Sequence, residues 1–166
     1  MKLVVQRVLS ASVTVDGVLV SSIGRGLLVL CGLSNNEEAD SGEWCSRRLL
    51  GVKLWPNAEG KPWKSSVVDI DGELLLVSQF TLFHRLKGNS PDWSMAMPPD
   101  AARTAYASFV STVQSQYSEA KVGVLHSLHS AQLACSVGNS LTDPSTSAPS
   151  GQKWRLWCYD ERGTPE

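Results

Sequence analysis

The sequence predicts an α+β fold, a strand-dominated curved sheet or β-barrel-like structure with about two helices. Three observations predict it. Apolar runs of strand length, rich in Val and Leu and bounded by turn residues, recur at Val4 to Val8, Val13 to Val20, Ile23 to Leu33 and Leu74 to Leu82. One long segment behind a Pro-Pro pair carries its apolar residues at helical spacing. Strands and helices do not alternate in the regular way that marks parallel βαβ repetition.

Taken in order, Val4, Val5 and Val8, then Val13, Val15, Val18 and Val20, alternate with polar neighbours, and Asp16-Gly17 supplies a hairpin turn between two strands. "IGRGLLVLCGL", Ile23 to Leu33, is a glycine-bounded apolar run that fits a strand buried on both faces. Asn36 is then expected to cap a helix. Its first turn would carry Glu37 and Glu38, where carboxylates favour the helix dipole, and its inner face Trp44, Leu49 and Leu50. "VKLW", from Val52, reads as a strand, followed by a loop holding Pro56, Gly60 and Pro62. "VVDIDGELLLVSQFTL" reads as a second hairpin, with Asp71-Gly72 at the turn and Leu74 to Leu82 as its buried second strand.

The clearest helix follows "MPPD". Pro98 and Pro99 restrict its start, Asp100 caps or begins it, and Ala102, Tyr106, Phe109, Val110 and Val113 recur on one face. "KVGVLHSLHSAQLACSV" reads as one more strand or a pair of strands. Residues 138–152, rich in Ser, Thr, Pro and Gly, read as a flexible exposed loop, and "KWRLWCY" as a last strand.

A length of 166 residues fits one domain, 1–166, and 42% hydrophobic with 19% charged residues marks an ordinary globular chain rather than a disordered one. Fifteen Lys and Arg against sixteen Asp and Glu leave a net charge of -1, so any RNA partner must be met by a local arrangement of cations. No run approaches the ~20 apolar residues that cross a bilayer, and Gln6, Arg7 and Asp16 interrupt any signal-peptide core. Cys31, Cys45, Cys135 and Cys158 are widely spaced, which suggests reduced thiols and a cytoplasmic protein without disulfides.

Side chains able to do chemistry are few. The histidines are His84, His126 and His129, and the odd spacing of the last two puts them on opposite faces of a strand, against a metal site. No GxSxG elbow, phosphate loop or HExxH occurs. The six tryptophans read chiefly as packing anchors, although any of them could stack on a base. What stands out is the polar end of an apolar run, Ser78, Gln79 and Thr81. Such residues either mark a strand leaving the core or build a hydroxyl and main-chain cluster that holds a carbonyl and feeds donors to a developing oxyanion.

"VSQFTL", Val77 to Leu82, resembles the SQxTL signature of the D-aminoacyl-tRNA deacylases. "VVQRV", "ASVTVDG", "IGRGLLVLCGL", "DIDGELLLVSQFTL" and the later "KG" and "PPDAA" stand in that family's order over the first three quarters of the chain. The resemblance implies a homodimeric esterase of β-barrel-like fold, without cofactor or metal. It would release a D-amino acid, and also glycine, from the 3′-terminal adenosine of tRNA, using main-chain donors and the ribose 2′-hydroxyl. Carried over by position, Ser78, Gln79, Phe80 and Thr81 line the ester pocket, and amides near Gln79 and Phe80 meet the oxyanion. Gln6 and Arg7 flank the pocket, and Arg85 and Lys87 contact phosphate.

The sequence also departs from the family. Its second signature, an Asn-x-Gly-Pro-Val-Thr segment that reaches across the dimer to reject L-amino acids, has no counterpart, because no Gly-Pro dipeptide occurs. Gly138-Asn139 or Ser150-Gly151 stands in its place, and "GVLHSLH", Gly123 to His129, replaces the usual Gly-x-Phe-Gly-Ala-x-Met. Two alternatives to a chirally selective deacylase follow: a non-catalytic paralogue that binds tRNA or other nucleic acid, and a deacylase of relaxed chirality.

Overall fold

Leu74 to Val77 are fully buried, and their side chains alternate between two separate cores, which is why this strand is apolar without interruption. The structure, a computed structural model, describes residues 1–38, 40–125, 131–136 and 157–159, the last two stretches by backbone alone. The early strands are β1 (Lys2–Val8), β2 (Ser10–Val15), β3 (Val18–Ile23) and β4 (Gly26–Gly32), followed by helix α1 (Ser41–Gly51). Then come β5 (Glu73–Ser78), a short hairpin of β6 (Arg85–Lys87) and β7 (Ser90–Asp92), and helix α2 (Pro99–Gln116). The last strands are β8 (Val122–Leu125), β9 (Ala131–Ser136) and β10 (Trp157–Tyr159).

The main sheet runs β10-β1-β4-β5-β8, and a second sheet runs β3-β2-β9. Both helices pack on one face of the main sheet. There Leu3, Val5, Leu27, Val29, Leu74 and Leu76 meet Cys45, Leu49, Tyr106, Phe109 and Val113. On the opposite face Val8, Leu28, Leu75, Val77 and Leu125 meet Ala11, Val13 and Ile23 of the second sheet. The strand-rich α+β class expected from the sequence is the one found.

The pairing corrects one expectation. β4 and β5 are parallel, as are β5 and β8, so α1 and α2 are each part of a crossover between parallel neighbours. The long loop between α1 and β5 hides this alternation in the sequence. The Asp16-Gly17 turn forms as expected, with φ of 50° and 80° as a tight hairpin turn of this type requires, but it joins β2 to β3, while β1 crosses to the other sheet.

α2 follows its pattern, with Pro99 at its start, Asp100 in its first turn and Tyr106, Phe109, Val110 and Val113 buried. α1 begins at Ser41 rather than just after Asn36. The reason is Glu37, whose carboxylate accepts the Ser34 amide at 3.0 Å and the Ser41 hydroxyl at 2.6 Å and pairs with the Met1 amino group. Leu49 and Leu50 are buried as expected, and Trp44 packs partly against the same core.

Two expected strands do not form. Around Val52–Trp55 only Trp55 makes a bridge, to Ser65. Val67 to Asp71 form a turn rather than a hairpin arm. Both edges of β5 are taken by β4 and β8, and Asp69 is held by the Ser66 amide at 2.7 Å. Among the described residues no helix is long and apolar enough to cross a membrane. The 138–152 loop, His126 and His129 lie outside the described residues.

Candidate active site

β5 stops at Ser78, and Phe80–Leu82 form a single 3-10 turn instead of continuing the strand to Leu82. The change of course is fixed by hydrogen bonds. The Gln79 amide donates to the Cys31 carbonyl at 2.7 Å, so Gln79 is still tied to β4 while its successors turn away. Leu82 then donates back to the Gln79 carbonyl at 3.3 Å, and Phe83 to that of Phe80 at 3.1 Å. The turn lies directly on Gly32: a Cβ there would stand 2.8 Å from Leu82 Cβ and 3.3 Å from the Gln79 carbonyl oxygen. Only glycine leaves room for that approach.

Ser78, Gln79 and Thr81 are half-buried and Phe80 is 47% exposed, so the turn is firmly held yet open to a ligand. Gln79 Nε2 donates to Thr81 Oγ1 at 2.5 Å. With one lone pair occupied, the Thr81 hydroxyl keeps its own proton to donate. His84 Nδ1 lies 2.9 Å from the Thr81 carbonyl. A carbonyl oxygen only accepts, so in a neutral ring Nδ1 carries the proton.

Beyond the turn, the β6–β7 hairpin is clamped on one carboxylate. Asp92 accepts from Arg85 Nε at 2.9 Å and lies 3.2 Å from Lys87 Nζ; the Ser94 amide adds a bond at 3.0 Å. Arg85 above all, then the Ser94 amide, hold the Asp92 carboxyl well below the usual carboxylate range. Trp93 follows, 43% exposed, and its ring and that of Phe80 meet edge to face, with planes 62° apart and a centroid distance of 6.2 Å.

Within one protomer the expected residues fall into two groups. Ser78, Gln79, Phe80 and Thr81 come together with the hairpin that bears Arg85 and Lys87. Gln6 and Arg7 stand on β1, two strands from β5: Gln6 is level with Leu28 and Leu75, and Arg7 with Leu27 and Leu74, four residues along β5 from Ser78, or about 13 Å. Arg7 instead donates to the Leu54 carbonyl at 2.6 Å and lies over the Trp55 ring. Burial, then the nearby Arg25, lowers its pKa. Gly138 and Asn139 lie outside the described residues.

Sequence reading missed four contributors. Lys2 reaches over the Phe83 ring at 5.3 Å, Gly32 supports the turn, and His84 and Trp93 flank it. Only the register of β1 on β4 brings Lys2 level with Gly32, and no local pattern announces that. Of the two amides expected to meet an oxyanion, that of Gln79 is already engaged by Cys31. The Cys31 thiol is buried and its pKa is pushed up, which keeps it protonated and unsuited to attack. Among the described residues no group of three or more metal-binding side chains converges.

A fixed 3-10 turn with part-exposed hydroxyl and amide groups, and no assembled side-chain triad among the described residues, marks a candidate site for polar recognition on an α+β scaffold. Comparison with known proteins gives the family. Residues 4–140 match the family described as D-Tyr-tRNA(Tyr) deacylase. D-aminoacyl-tRNA deacylase 1 of Leishmania major is 46% identical over 123 residues, 74% of this chain and 81% of that protein. The D-aminoacyl-tRNA deacylase of Drosophila melanogaster is 46% identical over 122 residues, 74% of this chain and 77% of that protein. Among solved structures, the c-Myc DNA unwinding element binding protein is 40% identical, with a TM-score of 0.78 over 82% of this chain and 91% of that one. A structure described as a probable eukaryotic D-amino acid tRNA deacylase, at 17% identity and a TM-score of 0.68 over 82% and 93%, shares the fold. The chain belongs to the D-Tyr-tRNA(Tyr) deacylase family.

Proposed function

We propose that this chain is a deacylase that hydrolyses the ester joining a D-amino acid, or glycine, to the 3′-terminal adenosine of tRNA. The observation that carries the reading is the Ser78–Thr81 strand end, held by Cys31 and Gly32 and open to solvent, in a chain whose relatives are named for this reaction. Water attacks the ester carbonyl, and the charge that develops on its oxygen is met by the leading amides of the 3-10 turn. The bond to the ribose oxygen breaks, and that oxygen takes a proton. The Thr81 hydroxyl, oriented by Gln79, positions the carbonyl or the water, and the neighbouring ribose 2′-hydroxyl assists, without cofactor. Arg85 and Lys87 face the phosphates.

In this reading residues 1–166 form one deacylase-like domain that works as a homodimer, with the partner's 138–152 segment, including Gly138 and Asn139, completing the site. The cytoplasm, where charged tRNA meets the ribosome, is the location this substrate implies. Release of labelled amino acid from D-Tyr-tRNA, L-Tyr-tRNA and Gly-tRNA, with Thr81→Ala alongside, tests the reading. Loss of the D and glycyl esters alone means that chiral rejection works without a Gly-Pro pair; loss of all three means a relaxed enzyme. Binding of all three with no release sinks the enzymatic reading. It would favour a non-catalytic nucleic-acid binder, which the likeness to a DNA unwinding element binding protein supports.

A further inference from the structure

Phe80 and Trp93 form an exposed aromatic pair at the lip of the turn, and the ester chemistry does not use Trp93. Both residues keep over two fifths of their surface exposed while their rings are in direct contact. Trp93 is also firmly mounted. On one side Asp92 is gripped by Arg85 and Lys87. On the other, the Ser94 carbonyl accepts from Asn35 Nδ2 at 3.2 Å, and the Met95 carbonyl accepts from the Asn35 amide at 3.0 Å. Arg85 Nη2 adds a 3.2 Å bond to Ser94 Oγ.

The hairpin's charge fits a nucleic-acid occupant. Two cations share one carboxylate, so the rim beside Trp93 stays positive, and Lys87 is 69% exposed. Part-exposed aromatic rings beside surplus positive charge are a common way for proteins to hold single-stranded bases without reading their sequence. A protein partner would meet the same rings, but the surplus positive charge favours a polyanion.

We propose that Trp93 is a substrate-positioning residue that stacks the nucleotide just before the terminal adenosine, while Arg85 and Lys87 face the phosphate between the two. The inference rests on the deacylase reading for the place of the terminal adenosine at the Ser78–Thr81 turn. It would make the enzyme prefer a single-stranded tRNA end over a free aminoacyl-adenosine.

The test compares wild type, Trp93→Ala and Trp93→Phe on two substrates, D-Tyr-tRNA and the 3′-D-tyrosyl ester of adenosine. Trp93→Ala should raise KM for the tRNA about tenfold, about 1.4 kcal/mol, with kcat within twofold. It should leave kcat/KM for the adenosine ester within twofold, and Trp93→Phe should restore most of the loss. Equal damage to both substrates, or a fall in kcat alone, overturns the proposal. A second measurement does not depend on turnover: binding of an uncharged RNA hairpin ending in CCA, intact or with the penultimate base removed. Wild type should lose about tenfold when that base is removed and Trp93→Ala should lose nothing further; additive losses overturn the proposal. If wild type cleaves neither ester yet shows this pattern, the deacylase reading fails while the stacking site stands.

Discussion

Gln79 Nε2 donates a 2.5 Å hydrogen bond to Thr81 Oγ1, so a side chain that has just left the sheet orients the hydroxyl two residues later. This fixes the acceptor side of Thr81 and leaves its proton for a ligand. Thr81→Val keeps the shape and removes the hydroxyl, and should lower kcat by about 10- to 100-fold if that group positions the ester or the water. Thr81→Ser should retain most activity, because the Gln79 bond can re-form. Since Thr81 is only half-buried, the two variants should melt within a few degrees of wild type. Full turnover by Thr81→Val in the amino-acid release assay would remove this residue from the mechanism.

Gly32 ties the turn to the body of the protein. A methyl group there would lie 2.8 Å from Leu82 Cβ and 3.1 Å from the Phe83 ring, so the turn would have to move outward. Gly32→Ala should cost about 1–3 kcal/mol of stability, as overpacking does. Its effect on turnover should be larger, roughly 100-fold, because misplacement by about 1 Å is enough to lose an aligned ester. Urea unfolding and single-turnover hydrolysis measured side by side check the two effects.

The Asp92 clamp makes the β6–β7 hairpin sensitive to acid. Arg85, then the Ser94 amide, depress the carboxyl in the folded protein, so the unfolded state binds the proton more readily. The clamp's contribution is therefore fully present above the ordinary aspartate value of about 3.9 and is lost as pH falls through the lower folded value. Trp93, next in sequence, should report this as a change in fluorescence below about pH 3.9 that Asp92→Asn removes. At neutral pH the same variant should loosen the hairpin and raise KM for tRNA. An acid transition that is identical in Asp92→Asn would assign the change to other carboxylates.

Much of this was legible in the sequence wherever the deciding forces are local. Pro98 and Pro99 ahead of Tyr106, Phe109, Val110 and Val113 define α2, and Asp16-Gly17 defines its turn, because each depends on backbone geometry and one apolar face. The unbroken run Leu74–Val77 announced a buried strand but neither its two cores nor its parallel partners, since the residues that pair with it lie far away along the chain. α1 starts late because Glu37 is claimed by Met1, 36 residues distant. At the site, the polar motif Ser78-Gln79-Phe80-Thr81 was visible, whereas its supports were not. Gly32, Lys2 and Trp93 reach it through strand register and a separate hairpin, and Arg7 is drawn away by Leu54 and Trp55.

His84 separates a positioning role from acid-base chemistry. Its ring is beside Thr81, yet Nδ1 meets the main-chain carbonyl at 2.9 Å rather than the hydroxyl. A donor is all that contact needs, and an asparagine amide can donate but cannot shuttle a proton. His84→Asn should therefore turn over within about threefold of wild type, while His84→Ala, which frees the Thr81 carbonyl, should lose several-fold more through a looser turn. A general base would behave differently, with both variants falling by roughly 100- to 10,000-fold. Rates for the two variants on D-Tyr-tRNA distinguish these cases, and an equal, large loss would put a side-chain base into a reaction assigned above to main-chain donors and the substrate's own 2′-hydroxyl.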